Sequence, residues 1–352
     1  MKACFSLLLL LTYFSLPAQK VDLDRFHFTA QYRNFPNVQL DKEYVTYNLS
    51  FGGSPITKAF MMEDDLDRSI NLYGWKKLRR DGHITVKTIF GDFIIKSSTV
   101  AERKEDIKDK DGKITGTRTY YSSRIVYNFP TSYMVVDYKG ATLANEQIGN
   151  GDKTWSSDEY NNYKEAADYY NNNRNVIRGN LCRKDMVQDL ATIASRVNFK
   201  FGYPPANNLL KLWILNNKKH PEYEATQAQW NSFKAVAART TYEGVSEEDK
   251  KTLLSVVAYF DGLKTKYNGG DKTDKKMRYS CFYNNAMIYT WFLDNFDAAI
   301  KEADGLIAND FDSGDGKDLK KDAEKMAEAL RKNNVNSLHY AINLDDARGP
   351  KQ

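Results

Sequence analysis

RIVYNFPTSYMVVDYKGATLANEQIGNGD, residues 124–152, is the stretch on which the fold turns, because the hydrophobic period changes where it ends. Before Gly149 apolar residues alternate with polar ones; beyond Asp152 they recur every three or four positions. Ser132 to Tyr138 and Ala141 to Ile148 read as strands joined by a turn at Lys139-Gly140. Upstream, a strand over 114–128 pairs across Asp109-Lys110-Asp111-Gly112 with a strand over 94–107. Ile84 to Thr88 and Phe93 to Ile95 read as a further hairpin, with Gly91-Asp92 as its tight turn. Earlier still, Phe26, Phe28, Ala30 and Tyr32 alternate with polar residues, as do Val45, Tyr47, Leu49 and Phe51. Pro36 and Gly52-Gly53-Ser54-Pro55 punctuate them. Between 56 and 82, Leu66, Ile70 and Leu72 fit either a short helix or a covering loop that leads to a strand near Trp75. Consecutive antiparallel strands at this spacing predict an antiparallel β-sandwich or open barrel over residues 20–150.

Downstream the pattern is helical. Ser156 and Glu159 have the spacing of a capping box and predict a helix start there. Leu181, Val187, Leu190, Ile193, Ala194 and Val197 share one helical face, which ends at Phe201-Gly202-Tyr203-Pro204-Pro205. Leu209 to Leu215 fits a helix or a buried strand. Pro221 opens a helix carrying Tyr223, Trp230, Phe233 and Val236. Ser246 with Asp249 caps the next, whose stripe of Leu253, Val257, Phe260 and Leu263 ends before Asn268-Gly269-Gly270.

Tyr283-Asn284-Asn285-Ala286-Met287-Ile288-Tyr289, followed by Asp294-Asn295-Phe296-Asp297-Ala298-Ala299-Ile300, resembles a tetratricopeptide repeat. The resemblance covers about thirty residues, 281–306, with a following helix from Leu319 to Leu330. It implies that Ala286 and Ala299 let two antiparallel helices approach closely and that Tyr289 and Phe296 fill the space beside the turn. It also implies a concave surface for protein or peptide binding. The turn is one residue longer than the family pattern, and no Pro closes the unit. The fold class predicted is therefore α+β: a β-rich domain over 20–150, an all-helical, repeat-like domain over 155–345, and a flexible tail over 346–352.

The first nineteen residues carry Lys2, an apolar run from Phe5 to Leu16, and Leu16-Pro17-Ala18-Gln19 before a charged stretch. That is the three-part pattern of a secretory signal peptide over 1–19. About twelve apolar residues are too few for the roughly twenty of a spanning helix. Cys4 precedes the run, unlike a lipoprotein signal. Export to the periplasm or the exterior is the expectation, with no membrane span.

Apolar residues make up 41% and charged residues 28% of the chain, enough to bury a core. The net charge of +5 is too small a field to select nucleic acid. Beyond the leader only Cys182 and Cys281 remain, so a disulfide scaffold is excluded. One Cys182–Cys281 bridge and two separately buried thiols both fit. Zinc-type spacing is absent, and His27, His83, His220 and His339 are scattered. No nucleophile-elbow, phosphate-loop or dinucleotide motif occurs, and no cofactor is expected.

Two acidic stretches invite a calcium reading. Around Asp109-Lys110-Asp111-Gly112 the first and twelfth positions are Ile107 and Arg118 where carboxylates are needed, so a hairpin turn is predicted. Residues 102–113 hold ten charges, five of each sign, which marks a solvated tip. Asp310, Asp312, Asp315 and Asp318 could wrap a hard cation, but Gly314 stands at a ligand position. A loop whose Asp318 caps the next helix is the simpler expectation.

Trp75, Trp155 and Trp213 are candidate stacking platforms for a ligand, each with a competing place in a core or interface. A protein- or peptide-binding or scaffold protein of the cell envelope is the leading functional expectation. A glycan-binding accessory protein is second. A hydrolase with a carboxylate pair that converges only in three dimensions is third.

Overall fold

The computed structural model describes residues 20–60 and 63–350, so the leader expected over 1–19 lies outside them. The molecule is α+β, with a sheet-rich N-terminal region and a helical C-terminal region. Strand β1 (Leu23–Arg33) opens it and does not join the strands that follow.

Those strands build one compact unit from Phe35–Pro204 and the segment from Ile342. β2 (Thr46–Gly53) precedes two short helices, α1 (Pro55–Lys58) and α2 (Glu63–Ser69), which answer the ambiguity between 56 and 82. β3 (Lys76–Lys77), β4 (Ile84–Phe90), β5 (Ile94–Lys108), β6 (Ile114–Asn128), β7 (Thr131–Asp137), β8 (Thr142–Gly149) and β9 (Lys153–Ser156) follow. The hairpins over 94–128 and 132–148 form as expected, and Gly140 takes the positive φ its turn requires.

Three expectations need correction. The five-stranded sheet, in the order β3-β2-β4-β7-β8, is mixed: β2 runs parallel to β3 and β4. Gly91-Asp92 is no hairpin turn, because β4 pairs with β2 and β7 while β5 pairs with β6 in a three-stranded sheet, β5-β6-β9. Gly91 N–H donates to Pro130 C=O, and a Cβ at Gly91 would collide with the Pro130 ring, so this glycine serves a crossing between sheets. Ser156 ends β9 and caps nothing. Asn162 caps the long helix α3 (Tyr163–Phe201), its side chain accepting from Lys164 and Glu165 N–H.

α3 does not belong with the later helices. Its stripe of Ile177, Leu181, Met186, Leu190, Ile193, Val197 and Phe201 buries with Tyr47, Ile84, Val86, Phe90, Ile125, Phe129, Tyr133 and Val135 in one core. Val187, expected on that face, is 69% exposed. The tail was expected to be flexible from 346, yet Gly349 lies against Leu78 and Asp81.

The second unit runs through Asn34 and resumes over Pro205–Ala341. β10 (Pro205–Leu215) pairs antiparallel with β1 from Leu23↔Leu215 to Arg33↔Pro205. α4 (Tyr223–Arg239), α5 (Glu247–Lys266), α6 (Lys272–Trp291), α7 (Phe296–Asn309) and α8 (Ser313–Asn333) follow. Ser246 caps α5 as expected, its Oγ accepting from Asp249 N–H. On the ribbon's buried face Phe28 meets Phe233 at 5.2 Å and Phe292 at 5.7 Å between ring centres.

Small residues set the close approach of the last three helices. Ala286, Ala299, Ala303 and Ala323 are buried, and a Cβ on Gly316 would come within 2.8 Å of Ile307. Lys264 bridges Asp261 and Glu302 at 2.7 and 2.6 Å, tying α5 to α7. Among the described residues no helix is long and apolar enough to cross a membrane. Cys182 and Cys281 are two separate buried thiols.

Candidate functional site

The three tryptophan candidates part company. Trp75 is core, and its indole N–H donates to Phe201 C=O at 2.8 Å. Trp155 lies on β9 opposite Ile125, half-buried against the sheet unit's core. Trp213 alone sits on a face with charged and exposed neighbours.

Its position follows from strand alternation. Phe26, Phe28 and Ala30 on β1 share the inner face of the ribbon with Leu210 and Leu212 on β10. The outer face carries Arg25 opposite Trp213, His27 opposite Lys211, and Thr29 opposite Leu209. Leu209 is 72% exposed, and Arg25, His27 and Thr29 are exposed beside it. Asn284 of α6, itself buried, fixes Trp213 in place. Its side-chain oxygen accepts the Trp213 backbone N–H at 2.9 Å and its amide donates to the Trp213 backbone C=O at 2.8 Å.

Two cations stand over the indole, the Arg25 guanidinium and the Lys211 ammonium, each 5.3 Å from the ring centre. Lys211 also lies 5.6 Å from the Tyr283 ring. Tyr279 and Tyr283 flank Trp213 at 5.8 and 6.3 Å, and Phe311 packs on Tyr279 at 5.3 Å. Among the described residues no ion pair is made by Arg25 or Lys211. Burial first, and Asp315 second, push both tyrosine phenols above the usual range, so they stay protonated donors. Tyr279 donates to Asp315 at 2.5 Å.

That bond corrects the reading of the acidic stretch. Asp310 is the left-handed C-cap of α7 and pairs with Lys275 at 3.4 Å. Asp312, and not Asp318, occupies the N-cap of α8, and Asp318 lies inside the helix. Gly316, buried against α7, serves helix packing. Asp310, Asp312, Asp315 and Asp318 therefore do not converge. Among the described residues no three His, Cys, Asp or Glu side chains gather as a metal site. The stretch instead supplies Phe311 and Asp315 to the aromatic cluster beside Trp213, a link invisible in the sequence.

A buried carboxylate pair does exist, one turn apart on α3. Lys153 lies 3.0 Å from Asp185, and Thr131 donates to Asp189 at 2.6 Å. Both groups are committed to holding the helix on the sheet.

Sequence reasoning missed Arg25, Lys211, Tyr279 and Tyr283 as partners of Trp213. The alternation placing Lys211 and Trp213 on one face was readable, but the pairing of β1 with β10 was not.

No protein-family model and no curated protein matches the chain. Among solved structures, a minor lipoprotein from Acinetobacter baumannii is 13% identical over 46% of this chain and 96% of its own, with a TM-score of 0.22. A protein described as a neuraminyllactose-binding hemagglutinin homologue from Helicobacter pylori is 10% identical over 47% of this chain and 89% of its own, with a TM-score of 0.21. Likenesses of that size assign neither fold nor function.

Proposed function

We propose that this chain is an exported binding protein of the cell envelope whose outer ribbon face takes an acidic polypeptide segment. The observation that carries the reading is the stacking of Arg25 and Lys211 on Trp213 without a carboxylate partner among the described residues. Cations over a half-buried indole, on a face that also exposes Arg25, His27 and Leu209, attract carboxylates and favour encounter with an acidic partner. Leu209, exposed on the same face, offers an apolar contact between the charges of a peptide. The leader pattern supports export, and the resemblance of residues 281–306 to a tetratricopeptide repeat supports a polypeptide ligand. A neutral sugar would need the indole face that the two cations cover, so the polypeptide reading is preferred over the glycan one.

The test is fluorescence anisotropy with a labelled peptide of alternating Glu and Leu, against a Lys and Leu peptide of the same length. Binding of the acidic peptide alone is expected, weakened about tenfold or more by Arg25→Glu with Lys211→Glu, because repulsion replaces attraction. Equal binding of both peptides, or no loss in the variant, would overturn the proposal. Tight binding of a neutral oligosaccharide in place of the peptide would restore the glycan reading.

A further inference from the structure

The β5–β6 hairpin reaches well beyond the third strand of its sheet. β9 pairs with β6 only over Arg124–Tyr127, and a single bridge joins Tyr121 to Tyr160. From Glu102 to Lys108 every β5 residue is exposed. β5 is also terminal in its sheet, so its outer edge carries no strand among the described residues. A two-stranded ribbon exposed on both faces is marginal in water. An unpaired edge free of Pro and Gly is a template for another strand.

Edge charges ordinarily blunt such pairing, so their pattern decides the matter. Beyond the bulge near Lys96, Glu102, Lys104 and Asp106 share one face, and Arg103, Glu105 and Ile107 share the other. The second irregularity, at Ile107/Lys108, places its extra residue, Thr115, on β6, so β5 keeps its alternation and Lys108 joins the first face. Across the ladder the first set meets Tyr121, Thr119, Thr117 and Ile114, none of them charged. The signs along that face alternate, and read in reverse they are inverted at every position. The row of charges is its own complement about Glu105.

We propose that the β5 edge is a self-association surface, on which a second copy adds its own β5 antiparallel with the two-fold axis through Glu105. Glu102 then faces Lys108 of the second copy, and Lys104 faces Asp106 of the second copy. Sliding the strand by two residues sets Lys104 against Lys104, or Asp106 against Asp106, so the charges select one register. On the opposite face the two Glu105 carboxylates meet at the axis, each held by Arg103 at 3.1 Å in its own chain and opposite its own Arg118. Their repulsion is thereby offset.

Sedimentation of the purified protein reads the outcome directly. The mass of two copies is expected, with Lys104→Glu or Asp106→Lys each weakening association by about tenfold or more, since like charges then stand directly opposite. Mixing the two variants in equal amounts puts opposite signs back at both positions and should recover the two-copy mass. Both side chains are exposed, so each variant should still melt cooperatively as a folded chain, with any fall in melting temperature limited to the stability that pairing adds. A single-copy mass at every concentration, single variants that still pair, or a mixture that fails to pair would each overturn the proposal.

Discussion

Asp189 is a buried carboxyl whose titration bears on stability. It is 5% exposed, and burial, ahead of the Thr131 hydrogen bond and Lys153, raises its carboxyl above the ordinary value of 3.8. In the window above that value the folded state binds more proton than the unfolded one, so stability falls as pH rises through it. Asp189→Asn removes this slope while keeping an acceptor for Thr131. Thermal melts from pH 4 to pH 7 should show the variant gaining on the parent as pH rises, because the parent holds its advantage at the acid end and loses it towards neutral pH. A variant less stable at pH 7 than the parent would show that the Lys153 attraction outweighs desolvation. Glu146 works in the opposite sense: Lys200 first and Arg196 second hold its carboxyl down to about 2, so its contribution is lost on acidification. None of this was readable in advance, because Asp185 and Asp189 look like an ordinary polar helix face until the sheet covers them. Trp213 is the converse case. Its candidacy was readable as an isolated aromatic, and Lys211 lies two residues away on the same strand, but Arg25 comes from a strand nearly two hundred residues away.

At the scale of elements, local signals did well where the physics is local. The turns at Gly112 and Gly140, the Ser246 cap and the end of α3 at Gly202 all lie where backbone sterics and nearby hydrogen bonds decide. Errors came where a partner outside the window decides. Gly91 looked like a turn until Pro130 was seen against it, and Ser156 looked like a cap until it was drawn into β9. The acidic stretch read as a loop because Gly314 and Gly316 are poor helix formers, yet Gly316 is where α8 touches α7. Gly316→Val puts a branched side chain within 3.0 Å of Ala303 C=O and Leu306, where neither the α7 backbone nor its packed core has room. The expected cost is about 1–3 kcal/mol from overpacking, less the helix propensity gained by losing glycine. Chemical denaturation should report it, with Gly314→Val, on an exposed position of the same turn, near neutral. Equal effects at both sites would mean that α7 and α8 are not closely packed there.

For the whole molecule, the change of period at Gly149 was a true observation with the wrong consequence. It marks the passage from strands to α3 inside one unit, whose core needs both. The real division is discontinuous, because β1 leaves the N-terminal strands to pair with β10. Period reveals what an element is; it does not reveal which distant element it joins, and Phe28 alternates in β1 as any strand residue would. The consequence can be tested by complementation. A fragment of residues 205–341 lacks β1, so Phe233 and Phe292 lose the ring of Phe28 and β10 loses its hydrogen-bonded neighbour. Truncating a core Phe alone typically costs about 3–5 kcal/mol, and loss of the whole strand removes that contact and the ladder together. The fragment is therefore expected to melt early and without a sharp transition, and a synthetic peptide of residues 20–34 should restore a cooperative melt in proportion to its concentration. The same peptide carrying Phe28→Ala should rescue weakly. A fragment already stable without the peptide, or one rescued equally by the Phe28→Ala peptide, would place the core of this unit in its helices alone and return β1 to the role the linear sequence assigned it.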